Sequence, residues 1–229
     1  MLSFQNVSKD FQLDSRTTIT PVKDVTLDIN PGEFVIISGR SGTGKTTLLN
    51  LAAGLVKPTS GKVTWNNLDL GEMTDSQLSE LRTKKIGFVF QFPSLLPSFT
   101  VLENITLPKM FDTKDRTRDS FGKALETLTI MGLAGKKDVY PKQLSAGEQK
   151  RVVISRSLIN NPEIIIADEP TSDLDNNTEK EVMGLLQKIN SGGVTILMVT
   201  HSLQLLPFAT RAFEMEGGNL KEITRIAST

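Results

Sequence analysis

Four mainly apolar runs, each four to six residues long, are each followed directly by a polar residue. That length is typical of a strand buried on both faces, as in a parallel sheet. Between the last two runs, apolar residues recur at i, i+3, i+4 and i+7 from Val182 to Ile189, which predicts a helix with one packed face. Strands that alternate with helices predict an α/β fold with a mainly parallel sheet. The four runs are Phe34–Ile37, Ile86–Phe90, Ile164–Ala167 and Val194–Val199.

The rest of the chain divides into two further patterns. Leu2–Val7 and Val25–Ile29 alternate apolar with polar residues and predict an antiparallel layer ahead of the first buried strand. Residues 101–159 show helical spacings and no convincing strand, which predicts an all-helical insertion. We therefore expect one domain, in which residues 1–91 and 160–229 form the α/β core with its antiparallel layer and residues 92–159 form a helical subdomain.

A glycine-rich segment follows the first apolar run and precedes a predicted helix at residues 45–53. Strand, glycine turn and helix in this order predict a phosphate-binding P-loop, because the turn and the helix start point backbone N–H groups at an anion. The alternative is a flexible loop that happens to contain a lysine, and the strand–loop–helix setting favours the nucleotide site. Lys45 is expected to reach the β- and γ-phosphates, and the Thr46 hydroxyl to bind Mg²⁺. The residues expected to bind nucleotide are Gly39, Arg40, Ser41, Gly42, Thr43, Gly44, Lys45, Thr46 and Thr47.

Polar side chains directly follow the other three runs. Ligand sites of open α/β sheets lie at the carboxyl ends of the strands, so we expect these side chains to act at the same site. Asp168 is suited to hold Mg²⁺, and Glu169 to polarise an attacking water as the catalytic base. Gln91 is expected to bind both Mg²⁺ and that water, and His201, the only histidine, to contact the γ-phosphate. The alternatives are a solvated strand end, a turn residue and a structural histidine.

Composition limits the possible functions. The 229 residues are 38% hydrophobic, enough for a well-formed core, and the formal net charge is zero, so we expect no nucleic-acid partner. The absence of cysteine excludes disulfides and thiolate metal sites. The N-terminus lacks the pattern of a signal peptide, and no apolar run approaches the roughly 20 residues that span a bilayer. A membrane role would therefore need another chain to cross the bilayer.

The motifs and their order resemble those of the ATP-binding cassette (ABC) ATPases over essentially the whole chain. The resemblance rests on the P-loop, Gln91, Leu144–Gln149, Ile164–Glu169 and Ser172–Asp175, with His201 last. It implies a P-loop NTPase (RecA-like) core with an antiparallel β layer and an inserted helical subdomain, which binds and hydrolyses ATP with Mg²⁺.

The same resemblance implies further nucleotide contacts. Phe11 becomes the residue that stacks on adenine, against an ordinary half-buried loop aromatic. Ser145 and Gly147, in the signature motif, would complete the site of a second copy of the chain, so that two cassettes bind two ATP molecules head to tail. Asp175, in the D-loop, would also bind nucleotide. Ala146 stands where the family usually has glycine.

The chain resembles the bacterial branch that serves lipoprotein release and macrolide export, with the cell-division ATPase nearby. This resemblance rests on Gly87–Gln91, Leu95–Pro97, Thr100–Ile105 and Leu107–Pro108. That branch implies a separate integral membrane permease subunit and a peripheral location on the cytoplasmic face of the inner or plasma membrane. The loop Phe92–Phe99 lies where cassettes grip their membrane partner, although internal packing would also explain it.

Two other functions remain as alternatives. The first is a soluble ABC ATPase acting in cell division or on DNA or ribosomes, although such proteins typically carry a long coiled coil or a duplicated cassette. The second is a P-loop kinase or a GTPase. A kinase has no use for the signature segment, and a GTPase would be expected to carry an Asn-Lys-x-Asp motif, which is absent here.

Overall fold

The computed structural model describes residues 1–14, 16–111 and 120–223. Its packing divides the chain into two compact units, one formed by Met1–Leu78 with the chain from Thr195 onward, and the other by Ser79–Val194. The strands are β1 (Leu2–Gln12), β2 (Thr18–Ile29), β3 (Phe34–Ser38), β4 (Ser60–Trp65), β5 (Leu68–Asp69), β6 (Ile86–Val89), β7 (Ile164–Asp168), β8 (Thr195–Thr200), β9 (Arg211–Glu216) and β10 (Asn219–Glu222). The α-helices are α1 (Lys45–Ala52), α2 (Asp75–Lys85), α3 (Val101–Thr106), α4 (Ser120–Ile130), α5 (Ala146–Leu158) and α6 (Asn176–Ser191).

An antiparallel sheet in the first unit has the strand order β2-β1-β4-β5. The alternating pattern predicted its first two strands, but the hairpin is longer than predicted because pairing continues as far as Gln12 and Thr18. Phe11 therefore lies in a strand opposite Ile19 and not in a loop. The inward positions of this sheet are buried, as Phe4 and Trp65 illustrate.

The first unit also contains a sheet segment in the order β10-β9-β3-β8. The central strand β3 runs parallel to both β8 and β9 and is buried at all five positions. This double burial explains why its sequence is apolar without alternation. Because Ser38 pairs with Thr200, the chain leaves β3 and β8 at the same edge of the sheet.

In the second unit, β6 and β7 pair in parallel, and β6 packs against α5. The described residues between 101 and 159 contain helices and short 3₁₀ segments joined by turns, and no strand, in agreement with the predicted helical insertion. The predicted stripe on α6 is confirmed at Val182 and Leu186, which are buried, whereas Leu185 and Ile189 are half-buried.

The predicted subdomain boundaries follow changes of secondary-structure type, at residues 91/92 and 159/160. The packing divides the chain elsewhere, at 78/79 and 194/195, and it places β6 and β7, which contact each other, in one unit with α5, which contacts β6. The subdomain boundaries at 91/92 and 159/160 therefore stay a prediction, which rests on where the type of secondary structure changes.

Candidate functional site

The loop after β3 can form only with glycine at two of its positions. A Cβ atom on Gly44 would lie 1.8 Å from the carbonyl oxygen of Pro21, and one on Gly39 would lie 2.4 Å from that of Met215. Gly44 also has a φ of 107°, in the region that side chains disfavour. The neighbouring backbone therefore fixes the path of the turn into α1, and the predicted P-loop geometry has a packing cause.

Lys45 is 7% exposed, and its ammonium group is bound to the loop itself. Its Nζ donates to the carbonyl oxygens of Gly39 at 2.7 Å and Arg40 at 2.9 Å. Thr43 closes the same turn by donating its hydroxyl to the Arg40 carbonyl at 2.9 Å. A positive charge and the start of α1, which has no acidic residue in its first turn, therefore lie at one loop. The loop suits an anion.

The other predicted P-loop residues lie around this turn with different exposure. Arg40, Ser41, Gly42 and Thr46 are exposed, whereas Thr47 is half-buried on α1. Thr46 is in the first turn of the helix, so its hydroxyl lies beside the loop.

His201 follows β8 directly, next to the P-loop strand. Since Ser38 and Thr200 pair in register, Gly39 and His201 are the first residues beyond two adjacent parallel strands. The side chain of His201 is exposed, and the Thr200 hydroxyl accepts a hydrogen bond from the Ser202 N–H at 3.0 Å, which shapes the turn. The structure thus brings His201 and the P-loop to the same edge, as the sequence predicted.

Phe11 belongs to the hairpin whose second strand meets the P-loop. Pro21, the residue that contacts Gly44, is in β2, and β2 pairs with β1 at Phe11. The Phe11 ring is half-buried, and the Lys9 ammonium lies 5.0 Å from its centroid. One face of the ring is therefore covered by a cation, and a stacked base would use the other face or displace Lys9.

In the second unit, the predicted acidic pair ends a buried strand. Asp168 is the last residue of β7 and Glu169 is the next, and both are half-buried. Glu169 has a φ of 47°, and its carbonyl oxygen accepts hydrogen bonds from the N–H of Ser172 at 3.2 Å and from its hydroxyl at 3.0 Å. A left-handed backbone at a residue with a side chain costs energy and is often found where function requires a fixed direction.

Gln91 follows β6 at the same edge as this pair, since Val89 pairs with Ala167. Its side chain is exposed, and its carbonyl oxygen accepts a hydrogen bond from the Lys150 ammonium. Because β6 and β7 are parallel, Gln91 lies at the same edge of the sheet as Asp168 and Glu169, as predicted. Lys150 was missed by sequence reasoning. The available signal was a basic residue just ahead of the apolar Val152–Ile154 of α5.

Asp175 caps α6. One of its carboxylate oxygens accepts from the backbone N–H groups of Asn177 and Thr178, and the other accepts from the Thr178 hydroxyl at 2.6 Å. The hydrogen bonds from Thr178 hold the pKa of the Asp175 carboxyl below its usual value. The structure therefore gives Asp175 a role within its own chain, and its contact with nucleotide stays a prediction.

Ser145 caps α5 in the same way. Its hydroxyl accepts from the Glu148 N–H at 3.2 Å, and the Glu148 carboxylate accepts from the Ser145 N–H at 2.9 Å, a reciprocal arrangement that also lowers the pKa of Glu148. Ser145 and Ala146 are exposed, but Gly147 is buried. A Cβ atom on Gly147 would lie 2.4 Å from Cγ2 of Thr178, so α5 and α6 pack at this glycine. Sequence reasoning predicted Gly147 only as a nucleotide contact and missed this packing contact with Thr178.

A glycine loop between strand and helix with a lysine bound to it defines a P-loop nucleotide-binding protein. The chain belongs to the ABC transporter family, whose model matches residues 22–172. The expected fold class, ATP binding and ATPase class are thereby confirmed. Among the described residues, no helix has the length and apolar character needed to cross a bilayer.

The chain is similar to proteins of the branch that its sequence resembles. It is 40% identical to the lipoprotein-releasing system ATP-binding protein LolD of Buchnera aphidicola, covering 94% of this chain and 93% of that protein. It is 37% identical to the macrolide export ATP-binding/permease protein MacB of Rhodopirellula baltica, covering 98% of this chain but only 33% of that protein. Among solved structures, a dimeric post-hydrolysis state of the ATP-binding cassette MJ0796 bound to ADP and Pi matches with a TM-score of 0.89 and 38% identity over all of both chains.

Proposed function

We propose that this chain is the ATP-binding and ATP-hydrolysing subunit of a membrane ABC transporter or mechanotransmission complex. It dimerises head to tail on ATP and drives a separate transmembrane partner. The observation that carries the proposal is the P-loop, in which two glycines are imposed by backbone contacts and Lys45 is bound to the loop carbonyls. The likeness to LolD and to the MJ0796 cassette dimer supports the assignment to this branch and to a dimer.

ATP would bind with its phosphates at the P-loop and its base against Phe11. The backbone N–H groups and Lys45 would hold the β- and γ-phosphates, and His201 would contact the γ-phosphate from the neighbouring strand end. Lys45 would exchange its bonds to Gly39 and Arg40 for bonds to phosphate oxygens. The stacking partner is aromatic without a hydroxyl, which retains the π-face that a base requires.

Thr46, Gln91 and Asp168 would provide oxygen ligands for Mg²⁺. A hydroxyl, an amide and a carboxylate are the hard oxygen donors that this ion prefers, so the donor set fits. When bound, Mg²⁺ would offset the negative charge of the phosphates. Glu169 would accept a proton from water as the water oxygen attacks the γ-phosphorus, while the bond from the γ-phosphorus to the oxygen of the β-phosphate breaks and ADP and phosphate form.

The second copy would supply Ser145 and Gly147 to the γ-phosphate bound at the first. Ser145 begins α5 and is exposed, and its hydroxyl can still donate while it accepts from Glu148. Loss of the γ-phosphate would remove this contact, so hydrolysis would release the dimer. A nucleotide-driven switch of this kind needs a phosphate contact that differs between the two states.

The membrane partner would contact the loop Phe92–Phe99. Phe92 is 69% exposed and Leu96 is 40% exposed, and the preceding Phe90 is 44% exposed. Internal packing alone therefore does not account for the apolar residues of this loop. Failure of the chain to co-purify from its native membranes with any integral membrane protein would argue against this part of the proposal.

The test compares the mass in solution of Glu169→Gln with that of the wild type and of Glu72→Gln, a control at an exposed acidic residue. With Mg-ATP, Glu169→Gln should become a dimer because it binds ATP but hydrolyses it slowly. Without nucleotide it should be a monomer, and the control should hydrolyse ATP like the wild type. A Glu169→Gln variant that hydrolyses ATP at the wild-type rate would contradict the proposed base.

A further inference from the structure

Two cations of α5 hold the segment that follows β6. The Lys150 ammonium donates to the carbonyl oxygen of Gln91. The Arg156 guanidinium donates to the carbonyl oxygens of Ser94 at 2.8 Å and Pro93 at 3.2 Å. In the same segment, the Phe92 carbonyl oxygen accepts from the Ser94 hydroxyl at 3.1 Å. We call Lys150 and Arg156 the carbonyl clamp.

Stability alone does not explain the carbonyl clamp. Lys150 is 3% exposed, and burial lowers the pKa of Lys150 and of Arg156. A buried charge is a costly way to stabilise a fold, because well-packed apolar side chains often do as well or better. Both cations nevertheless point to main-chain oxygens, which fixes a backbone path whatever side chains the segment carries.

The carbonyl clamp also meets a third segment. Asp173, in the turn between Glu169 and α6, attracts the Lys150 charge and opposes the effect of burial on its pKa. Asp173 has a φ of 69°, so the backbone of this turn is held in an unfavourable conformation. Lys150 thus lies among the segments that carry Gln91, Ser145 and Asp175.

We propose that Lys150 and Arg156 are positioning residues that keep Gln91 in a fixed relation to α5. The backbone that carries the Gln91 side chain would then keep its position relative to α5, whose first turn is capped by Ser145. This inference rests on the proposed function, because it gives Gln91 and Ser145 the roles assigned above. Lys150 and Arg156 themselves would touch neither ATP nor metal.

The test uses Lys150→Met, which keeps most of the length and removes the charge, and Arg156→Lys, whose single ammonium replaces the two-pronged guanidinium. Lys150→Arg restores a cationic donor, and Lys142→Met is the matched control at an exposed lysine. Hydrogen exchange is followed in peptides covering residues 86–99 and 34–50, and ATP hydrolysis is measured well below the unfolding temperature. If Lys150→Met does not fold, Lys150→Gln takes its place.

For Lys150→Met we expect faster exchange in residues 90–96 and unchanged exchange in residues 34–50. The kcat should fall roughly 10-fold, since small misplacements of a catalytic group are costly, and the KM for ATP should stay unchanged. Arg156→Lys should show the same pattern more weakly, and Lys150→Arg should recover part of the activity. Lys142→Met should match the wild type.

The proposal is overturned if exchange in residues 90–96 and kcat both match the wild type. It is equally overturned if exchange rises throughout the second unit, because Lys150 would then only stabilise the fold. The exchange measurement needs no ATP hydrolysis. A wild-type protein that fails to hydrolyse ATP would therefore refute the proposed function, whereas hydrogen exchange would still decide whether the carbonyl clamp holds residues 90–96.

Discussion

Gly147 and Thr178 join the first turns of α5 and α6. Thr178 makes two contacts of different chemistry, because its hydroxyl donates to Asp175 at 2.6 Å while its methyl group lies against Gly147. A single side chain therefore links a residue of the D-loop to a residue of the signature motif. Any side chain added at Gly147 should therefore lower the free energy of unfolding through this packing contact, whether or not the glycine also binds nucleotide.

Gly147→Ala should destabilise the protein by about 1–2 kcal/mol. The new methyl group overlaps the Thr178 methyl at 2.4 Å, and this overlap outweighs the helix propensity that alanine gains. Urea unfolding provides the measurement. Thr178→Ser, which deletes the methyl and keeps the hydroxyl bonded to Asp175, should restore most of the loss in the double variant.

The neighbouring Ala146→Gly is the control, because Ala146 is exposed and its methyl group packs less. It should change the free energy of unfolding by less than about 1 kcal/mol. Equal stability of Gly147→Ala and the wild type would show that α6 moves aside freely, and the packing explanation of this glycine would be wrong.

The loop between β6 and α3 is held at its C-terminal side by the buried amide of Asn104. Asn104 in α3 is fully buried, accepts from the Leu96 N–H at 2.8 Å, and donates through Nδ2 to the carbonyl oxygens of Leu96, Phe99 and Thr100 at 2.9–3.1 Å. The helix itself is fixed by a capping box between Thr100 and Glu103. A loop with exposed apolar side chains is thus held in one conformation from its C-terminal side by Asn104.

Asn104→Ala should cost about 2–4 kcal/mol of stability, because it removes the four hydrogen bonds of a fully buried side chain and leaves the Leu96 N–H and the Phe99 carbonyl without these partners. Urea unfolding measures the loss, and hydrogen exchange should show that it is concentrated in residues 94–100. Asn177→Ala, at an exposed asparagine of α6, is the control and should stay close to the wild type. A loss of less than about 1 kcal/mol would mean that water replaces the amide at little cost.

Bound nucleotide should stabilise the whole chain, because ATP binds the folded protein and not the unfolded one. At a concentration 100 times the Kd, Mg-ATP should raise the free energy of unfolding by about 2.7 kcal/mol. Thermal unfolding with and without Mg-ATP tests this. Removal of Mg²⁺ with a chelator should reduce the shift, since the ion offsets phosphate charge.

Lys45→Met should abolish most of this stabilisation while leaving the nucleotide-free protein folded. Its ammonium group donates to two carbonyl oxygens of the loop, and its loss should weaken the turn less than it weakens phosphate binding. A full Mg-ATP shift in Lys45→Met would place the nucleotide elsewhere and contradict the proposed site.

Residues that are contiguous in the chain were predictable from the sequence. The P-loop and the buried strands β3 and β7 depend on local chemistry, namely the freedom of glycine to adopt a tight turn and continuous apolar runs. The polar residues after each strand were also predictable, because parallel strands end at a common edge. Their catalytic and metal roles stay predictions.

Contacts between distant segments could not be read from the sequence. The full length of the β1–β2 hairpin, with Phe11 in a strand, follows from cross-strand pairing that weak alternation does not reveal. The contacts of Lys150 with Gln91 and of Gly147 with Thr178 join residues 59 and 31 positions apart, and no local pattern marks either pair. Local propensity and spacing specify each element and its ends, whereas the burial of a charge or the closeness of two backbones exists only once the elements have packed.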